Sequence, residues 1–132
     1  MGSEGARLEW ELTGQVLAAA VAVHSALGPG FLESIYDNAL VVELTRRGIE
    51  HVRQLTVQVA YEGVVVGVHK PDLMVGERVV VELKAVKTLL PEHFAVVRSY
   101  LQATGCPVGL LLNFNKRVLE AKRVFPHDGR AL

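Results

Sequence analysis

Apolar positions fall at helical spacing through the first third of the chain and at strand spacing through the middle. Thr13 is a good N-cap, and Gly14 to Leu27 reads as a helix. Leu17, Val21 and His24 share one stripe, Val16, Ala20, Val23 and Leu27 share another, and alanine fills the rest. A helix this small and apolar nearly all round is buried or packs closely against a partner. Residues 1–10 ahead of it read as a loose tail, with Leu8 and Trp10 as docking points. Gly28-Pro29-Gly30 breaks the chain, and a second helix is expected over about Phe31 to Arg47. Leu32, Ile35, Ala39 and Val42 mark its core face, with Glu33, Tyr36 and Leu40 as a neighbouring stripe. Arg46 and Arg47 suit the negative end of that helix, and Gly48 stops it.

Arg53 to Tyr61 alternates as a strand does, with Leu55, Val57 and Val59 against Thr56, Gln58 and Ala60. Glu62-Gly63 signals a turn, and Val64 to Val75 reads as one longer strand. After a turn at Gly76-Glu77 comes Val79 to Lys84, apolar on both faces for several residues and so buried on both sides. Pro91 opens a helix to about Thr104; Phe94, Val97 and Leu101 face the core, and His93, Val96 and Tyr100 form the adjoining stripe. Val108 to Phe114 reads as a buried strand, Val118 to Phe125 as a more polar one, and the residues after Pro126 as a tail. The order is helix, helix, three strands, helix, two strands. The helix between the Val79 and Val108 strands makes a crossover, so those two strands are expected to be parallel. The fold class is α/β, a mixed sheet covered by helices in one domain spanning residues 1–132, its core about 12–125.

The 132 residues are 50% hydrophobic and 21% charged, which excludes a disordered chain. Net charge is zero, so nucleic-acid affinity cannot come from a generally basic surface; a small basic groove stays compatible with it. One cysteine, Cys106, leaves no internal disulfide and fits a reducing compartment. No signal core is visible before Arg7, and the longest apolar run, Val16 to Val23, is too short to span a bilayer. The expectation is a cytoplasmic protein with no membrane partner.

Candidate chemistry concentrates where the Val79 strand ends. Side chains alternate along a strand, so Val80, Glu82 and Lys84 share one face while Val79, Val81 and Leu83 share the other. A carboxylate and an ammonium beside a core are costly in isolation, and two readings relieve that cost: an internal ion pair or a bound cation. Asp72, on the preceding strand, brings a second carboxylate. Together with the Leu83 carbonyl, Asp72 and Glu82 suit a hard divalent cation such as Mg²⁺. Such an ion can polarise a phosphodiester and activate water, with Lys84 orienting that water or stabilising the crowded phosphorus. Glu33, taken alone, is a carboxylate favoured at a helix N-terminus. His24, on a stripe with Leu17 and Val21, reads as a hydrogen-bonded core histidine or as a neighbour of Glu33. Lys116, Arg117, Lys122 and Arg123 read as a solvated strand end or as a phosphate-contacting patch.

Pro71-Asp72 followed by Glu82-x-Lys84 resembles the PD-(D/E)XK nuclease signature. Gly30-Phe31-Leu32-Glu33-Ser34-Ile35-Tyr36 resembles the G-x-x-E-x-x-Y motif of the GxxExxY family within that superfamily. The resemblance continues through Leu27-Gly28-Pro29-Gly30, Glu82-Leu83-Lys84-Ala85, Tyr100-Leu101, Gly109 to Phe114 and Lys122-Arg123-Val124, covering roughly residues 12–125. It implies a restriction-endonuclease-like core, a mixed sheet of about five strands flanked by about three helices. In that core Glu33 would join Asp72 and Glu82 around one Mg²⁺ or Mn²⁺, with Lys84 beside it and Tyr36, His24, His93 and Tyr100 in support. One position departs: the family often has glutamine one turn before the Tyr100 position, where this chain has Val96. Val96 forms no hydrogen bonds, and His93, on the same stripe, is the better substitute.

The expected function is metal-dependent hydrolysis of DNA, with a homodimer needed to cut both strands and the alanine-rich first helix as its interface. Two rival readings follow from Val96 and the neutral charge: a nuclease-fold module that binds nucleic acid or protein without cutting, and an ion network serving stability alone.

Overall fold

The computed structural model describes residues 2–127, and the side chains of residues 4–127; the expected tail after Pro126 lies mostly outside them. Two helices come first, α1 (Gly2–Leu27) and α2 (Glu33–Arg46). Five strands follow: β1 (His51–Arg53), β2 (Val57–Tyr61), β3 (Val64–His69), β4 (Leu73–Val75) and β5 (Val79–Lys84). Helix α3 (Pro91–Thr104) then crosses over to β6 (Val108–Asn113) and β7 (Glu120–Val124). The five-stranded sheet has the order β1-β4-β5-β6-β7, and β5 and β6 run parallel, as a helical crossover requires. The other neighbours are antiparallel.

Two expected strands are each broken in two. Gln54, at a left-handed φ of 47°, ends β1 before β2 begins. Lys70, Pro71 and Asp72 separate β3 from β4, proline having no N–H for a ladder, so Asp72 sits in the bend just before β4 rather than on a strand. The pieces left over, β2 and β3, form their own two-stranded hairpin, which packs on α3 and leaves Tyr61, Val64, Val66 and Val68 exposed.

The N-terminal segment is also corrected: residues 2–10 are helical and continuous with the rest of α1. Thr13 does not cap a helix start; its hydroxyl donates to the Trp10 carbonyl within the helix. Tertiary contacts hold this extension. The Arg123 guanidinium lies 4.1 Å over the Trp10 ring, and Arg78 pairs with Glu9 at 3.3 Å. Arg123 also donates to Thr13 Oγ1, so it is a brace between β7 and α1 rather than a free phosphate contact.

The sheet separates two cores. Leu73, Val75, Val79, Val81, Leu83, Leu110, Leu112 and Phe114 pack with α1 and α2. Met74, Val80, Leu111 and Val124 pack with Val97, Tyr100 and Leu101 of α3. On α2 the buried residues are Tyr36, Asp37, Leu40 and Leu44, while Leu32, Ile35 and Val42 are exposed. The helix is therefore rotated by about one residue from the expected face. Tyr36 decides this: its ring stacks on Phe114 at 4.6 Å between centroids, and its hydroxyl donates to the Gly28 carbonyl at 2.6 Å. No helix is long and apolar enough to cross a membrane among the described residues.

Candidate active site

The site is made by the hairpin of β4 and β5. Gly76 and Glu77 both take left-handed φ (59° each), the twist a tight hairpin favours, and the Arg78 N–H donates to the Val75 carbonyl. Pairing of Leu73 with Val81 then sets Asp72 opposite Glu82. Here two carboxylates take over the ladder. The Asp72 N–H donates to Glu82 Oε1 at 3.1 Å, and the Leu83 N–H donates to Asp72 Oδ2 at 2.9 Å. Each acid is thus fixed by the other's strand, and Glu82 is only 6% exposed. Lys84 Nζ stands 4.0 Å from Glu82 Oε2, an ion pair beyond hydrogen-bond length.

Electrostatics follow from that burial. Desolvation, then the charge of Asp72, push the Glu82 carboxyl up to about 8, against smaller opposing effects of the Asp72 N–H and Lys84. Burial likewise raises Asp72; the Leu83 N–H opposes it, and the charges of Asp37 and Glu33 add to it. Tyr100 is pushed up to about 12, by burial first and then by the charges of Glu82 and Asp72. Its hydroxyl therefore stays a donor at any physiological pH. The His69 ring meets Tyr100 edge-on at 4.8 Å, and His69 Nε2 lies 3.3 Å from Ser99 Oγ.

Of the residues singled out from sequence, Asp72, Glu82, Lys84 and Tyr100 gather on the α3 face of the sheet. Glu33 opens α2, exposed to solvent, and its charge reaches both Asp72 and Glu82. Tyr36 is turned to its own loop: besides the bond to Gly28, its hydroxyl accepts from the Phe31 N–H at 3.1 Å. His24 Nε2 lies 2.7 Å from the Lys116 carbonyl and fixes the loop after β6. His93 Nδ1 accepts from the Leu90 N–H at 2.9 Å, capping the start of its own helix. Val96 is 39% exposed.

Three residues were not legible as site residues. Asp37 is 8% exposed and receives Arg53 Nη2 at 3.3 Å; its one sequence signal is its place a helical turn after Glu33. His69 precedes Asp72 by three positions, but only the hairpin's packing brings it to Tyr100. Asn113, wholly buried, pairs with Lys84 in the parallel ladder, donates to the Val86 carbonyl and accepts from the Val86 N–H. It holds the chain on leaving the Lys84 strand.

One buried and one half-buried carboxylate, both with their charged forms disfavoured, are a donor pair that fits a hard divalent cation. Mg²⁺ is commonly held by one or two carboxylates and keeps several waters. As the side chains stand, no three His, Cys, Asp or Glu residues close into a group that could hold a metal, among the described residues. Asp72 and Glu82 are the pair in contact, and Glu33 stands apart from it.

Among solved structures, the chain is similar to an alkaline exonuclease (LHK-Exo) from Laribacter hongkongensis, with a TM-score of 0.55 and 14% sequence identity. The similarity covers 72% of this chain and 56% of that one, so the chain spans a little over half of the exonuclease. It shows a shared restriction-endonuclease-like fold. No curated protein matches the chain. The sequence matches the PD-(D/E)XK nuclease superfamily over residues 10–124, and the chain belongs to that superfamily.

Proposed function

We propose that this protein is a Mg²⁺- or Mn²⁺-dependent phosphodiesterase that hydrolyses DNA. The observation that carries the reading is the pair of half-buried Asp72 and buried Glu82, each hydrogen-bonded to the other's strand, with Lys84 beside Glu82. Asp72 and Glu82 would hold the cation, with Glu33 as a third acid. When bound, such an ion would supply polarisation of the scissile phosphate and a lower pKa for the attacking water. Lys84 orients that water and donates toward the charge developing on the phosphoryl oxygen. The water gives up a proton to solvent as its oxygen bonds to phosphorus, the P–O ester bond breaks, and the leaving oxygen takes a proton from solvent. Tyr100, held neutral by its raised pKa, donates to a phosphate oxygen. Tyr36, His24 and His93 support the site from behind by fixing the loops and the helix start that frame it. Cutting both strands of a duplex calls for a second copy of the chain.

Val96, in place of a hydrogen-bonding side chain, favours a second reading in which nucleic acid is bound without cleavage. A nuclease assay on single-stranded, duplex and branched DNA with Mg²⁺ or Mn²⁺ separates the two. Wild type is expected to cleave, and Lys84→Ala to lose about 10²- to 10³-fold, as when one transition-state donor is removed. Metal-dependent DNA binding without turnover would support the second reading. Full activity in Lys84→Ala would remove the catalytic one.

A further inference from the structure

Asp37 is a buried acid that the mechanism above does not use. Its residue is 8% exposed, and its two oxygens are treated differently. Oδ2 is held by Arg53 Nη2 at 3.3 Å, while Oδ1 is a buried side-chain oxygen with no hydrogen-bond partner among the described residues. Buried polar atoms are nearly always satisfied, so this oxygen is short of a donor. Its surroundings suggest which. Arg53 also donates to Asn38 Oδ1 at 2.6 Å and pairs with Leu73 in the β1–β4 ladder, and the next residue, Gln54, donates its N–H to the Asp72 carbonyl at 3.0 Å. Asp37 is thereby tied, through Arg53, to the β1–β4 ladder that ends beside Asp72. Its charge acts on Asp72 more strongly than that of Glu33.

We propose that Asp37 is a positioning residue for the cation, its free oxygen accepting a hydrogen bond from a water in the ion's hydration shell. The inference rests on the metal-dependent reading of the site. Arg53 already occupies one oxygen of Asp37, and no three acids close into a metal-holding group among the described residues, so a water between Asp37 and the ion suits the arrangement. A hydrated Mg²⁺ or Mn²⁺ on Asp72 brings the missing donor, since such ions retain several waters. Arg53 fixes the other oxygen, so the carboxylate is oriented before the ion arrives.

The test is a Mn²⁺ titration of the full chain, wild type against Asp37→Asn, with thermal unfolding of each in EDTA. The amide keeps the shape and removes the charge. The expected result is Mn²⁺ affinity weaker by about 10- to 100-fold, the usual effect of losing an outer hydrogen-bond partner of a metal site, with metal-free unfolding temperature unchanged or higher. Equal Mn²⁺ affinity in the two proteins would overturn the inference and leave the reading of Asp72 and Glu82 standing. No Mn²⁺ binding by wild type would overturn both. Should Asp37→Asn fail to fold, Asp37→Ser, which leaves room for a water, is read by the same two outcomes.

Discussion

Among the described residues, on the face of the sheet turned to α1 and α2, β5 contributes Val79, Val81 and Leu83 to a cluster of sixteen buried residues; on the face turned to α3, the cluster has eight. The same strand contributes Val80, Glu82 and Lys84 to the second face. One side is therefore a thick apolar core and the other a thin one that gives way to acids at the C-terminal end of β5. The larger core supplies the rigidity that keeps Asp72 and Glu82 in register. The thinner cover leaves Lys84 partly exposed, where the proposed substrate would meet it. Stability and the proposed chemistry are divided between the faces of one strand.

Neighbouring substitutions break that comparison most sharply. Leu83 is wholly buried in the larger core, so Leu83→Ala is expected to cost about 2–5 kcal/mol, a cavity with no room to collapse. Lys84→Met, one residue on and facing the other way, is expected to change metal-free stability by less than about 1 kcal/mol, since its contact with Glu82 is long and a Glu82 carboxyl raised to about 8 is mostly protonated at neutral pH. Denaturant unfolding of both variants measures the contrast. Equal losses would mean that the two faces are not divided as described.

How much of this was legible in the sequence depended on whether a signal was local. The turn at Gly76-Glu77, the strand apolar on both sides and the crossover to β6 are local, and they led to the mixed sheet with Asp72 facing Glu82. The face of α2 was not legible, because two adjacent stripes are both apolar and periodicity cannot choose between them. Tyr36 chooses, by stacking on Phe114, a residue far along the chain. The first turns of α1 depend on Trp10 meeting Arg123 and Glu9 meeting Arg78, contacts that no window of sequence contains. Asp37 escaped notice for the same reason, its partner Arg53 lying on a different element.

The pH dependence sharpens the comparison on the acidic face. The Glu82 carboxyl is raised from an ordinary 4.5 to about 8. Between those values the folded protein keeps a proton that the unfolded chain has released. The unfolded state then binds fewer protons, so metal-free stability falls as pH rises through this window and levels off above it. A cation must displace the same proton, so Mn²⁺ affinity is expected to rise about tenfold per pH unit from 6 to 8 and then flatten. Calorimetric titration at pH 6, 7 and 8 checks the slope. A flat profile would show Glu82 already ionised, with Lys84 neutralising it.

A more local effect concerns how α3 is seated over the acids. Gly109 lies on β6 beneath that helix, and a Cβ there would stand 2.6 Å from Val97 Cγ1 and 3.4 Å from the Val80 carbonyl oxygen. Valine has little rotamer freedom in a helix, so Gly109→Ala must move α3 rather than one side chain. Overpacking of this kind is expected to cost about 1–3 kcal/mol. A shift of α3 also carries Tyr100 away from Glu82 and Asp72, whose charges help hold its hydroxyl pKa high. Ultraviolet titration of tyrosine ionisation in this variant should therefore show one phenol titrating lower than in wild type, while the core beneath α1 and α2 is undisturbed. An unchanged tyrosine profile together with full stability would mean that α3 has slack over the sheet, and that the thin face is not close-packed against it.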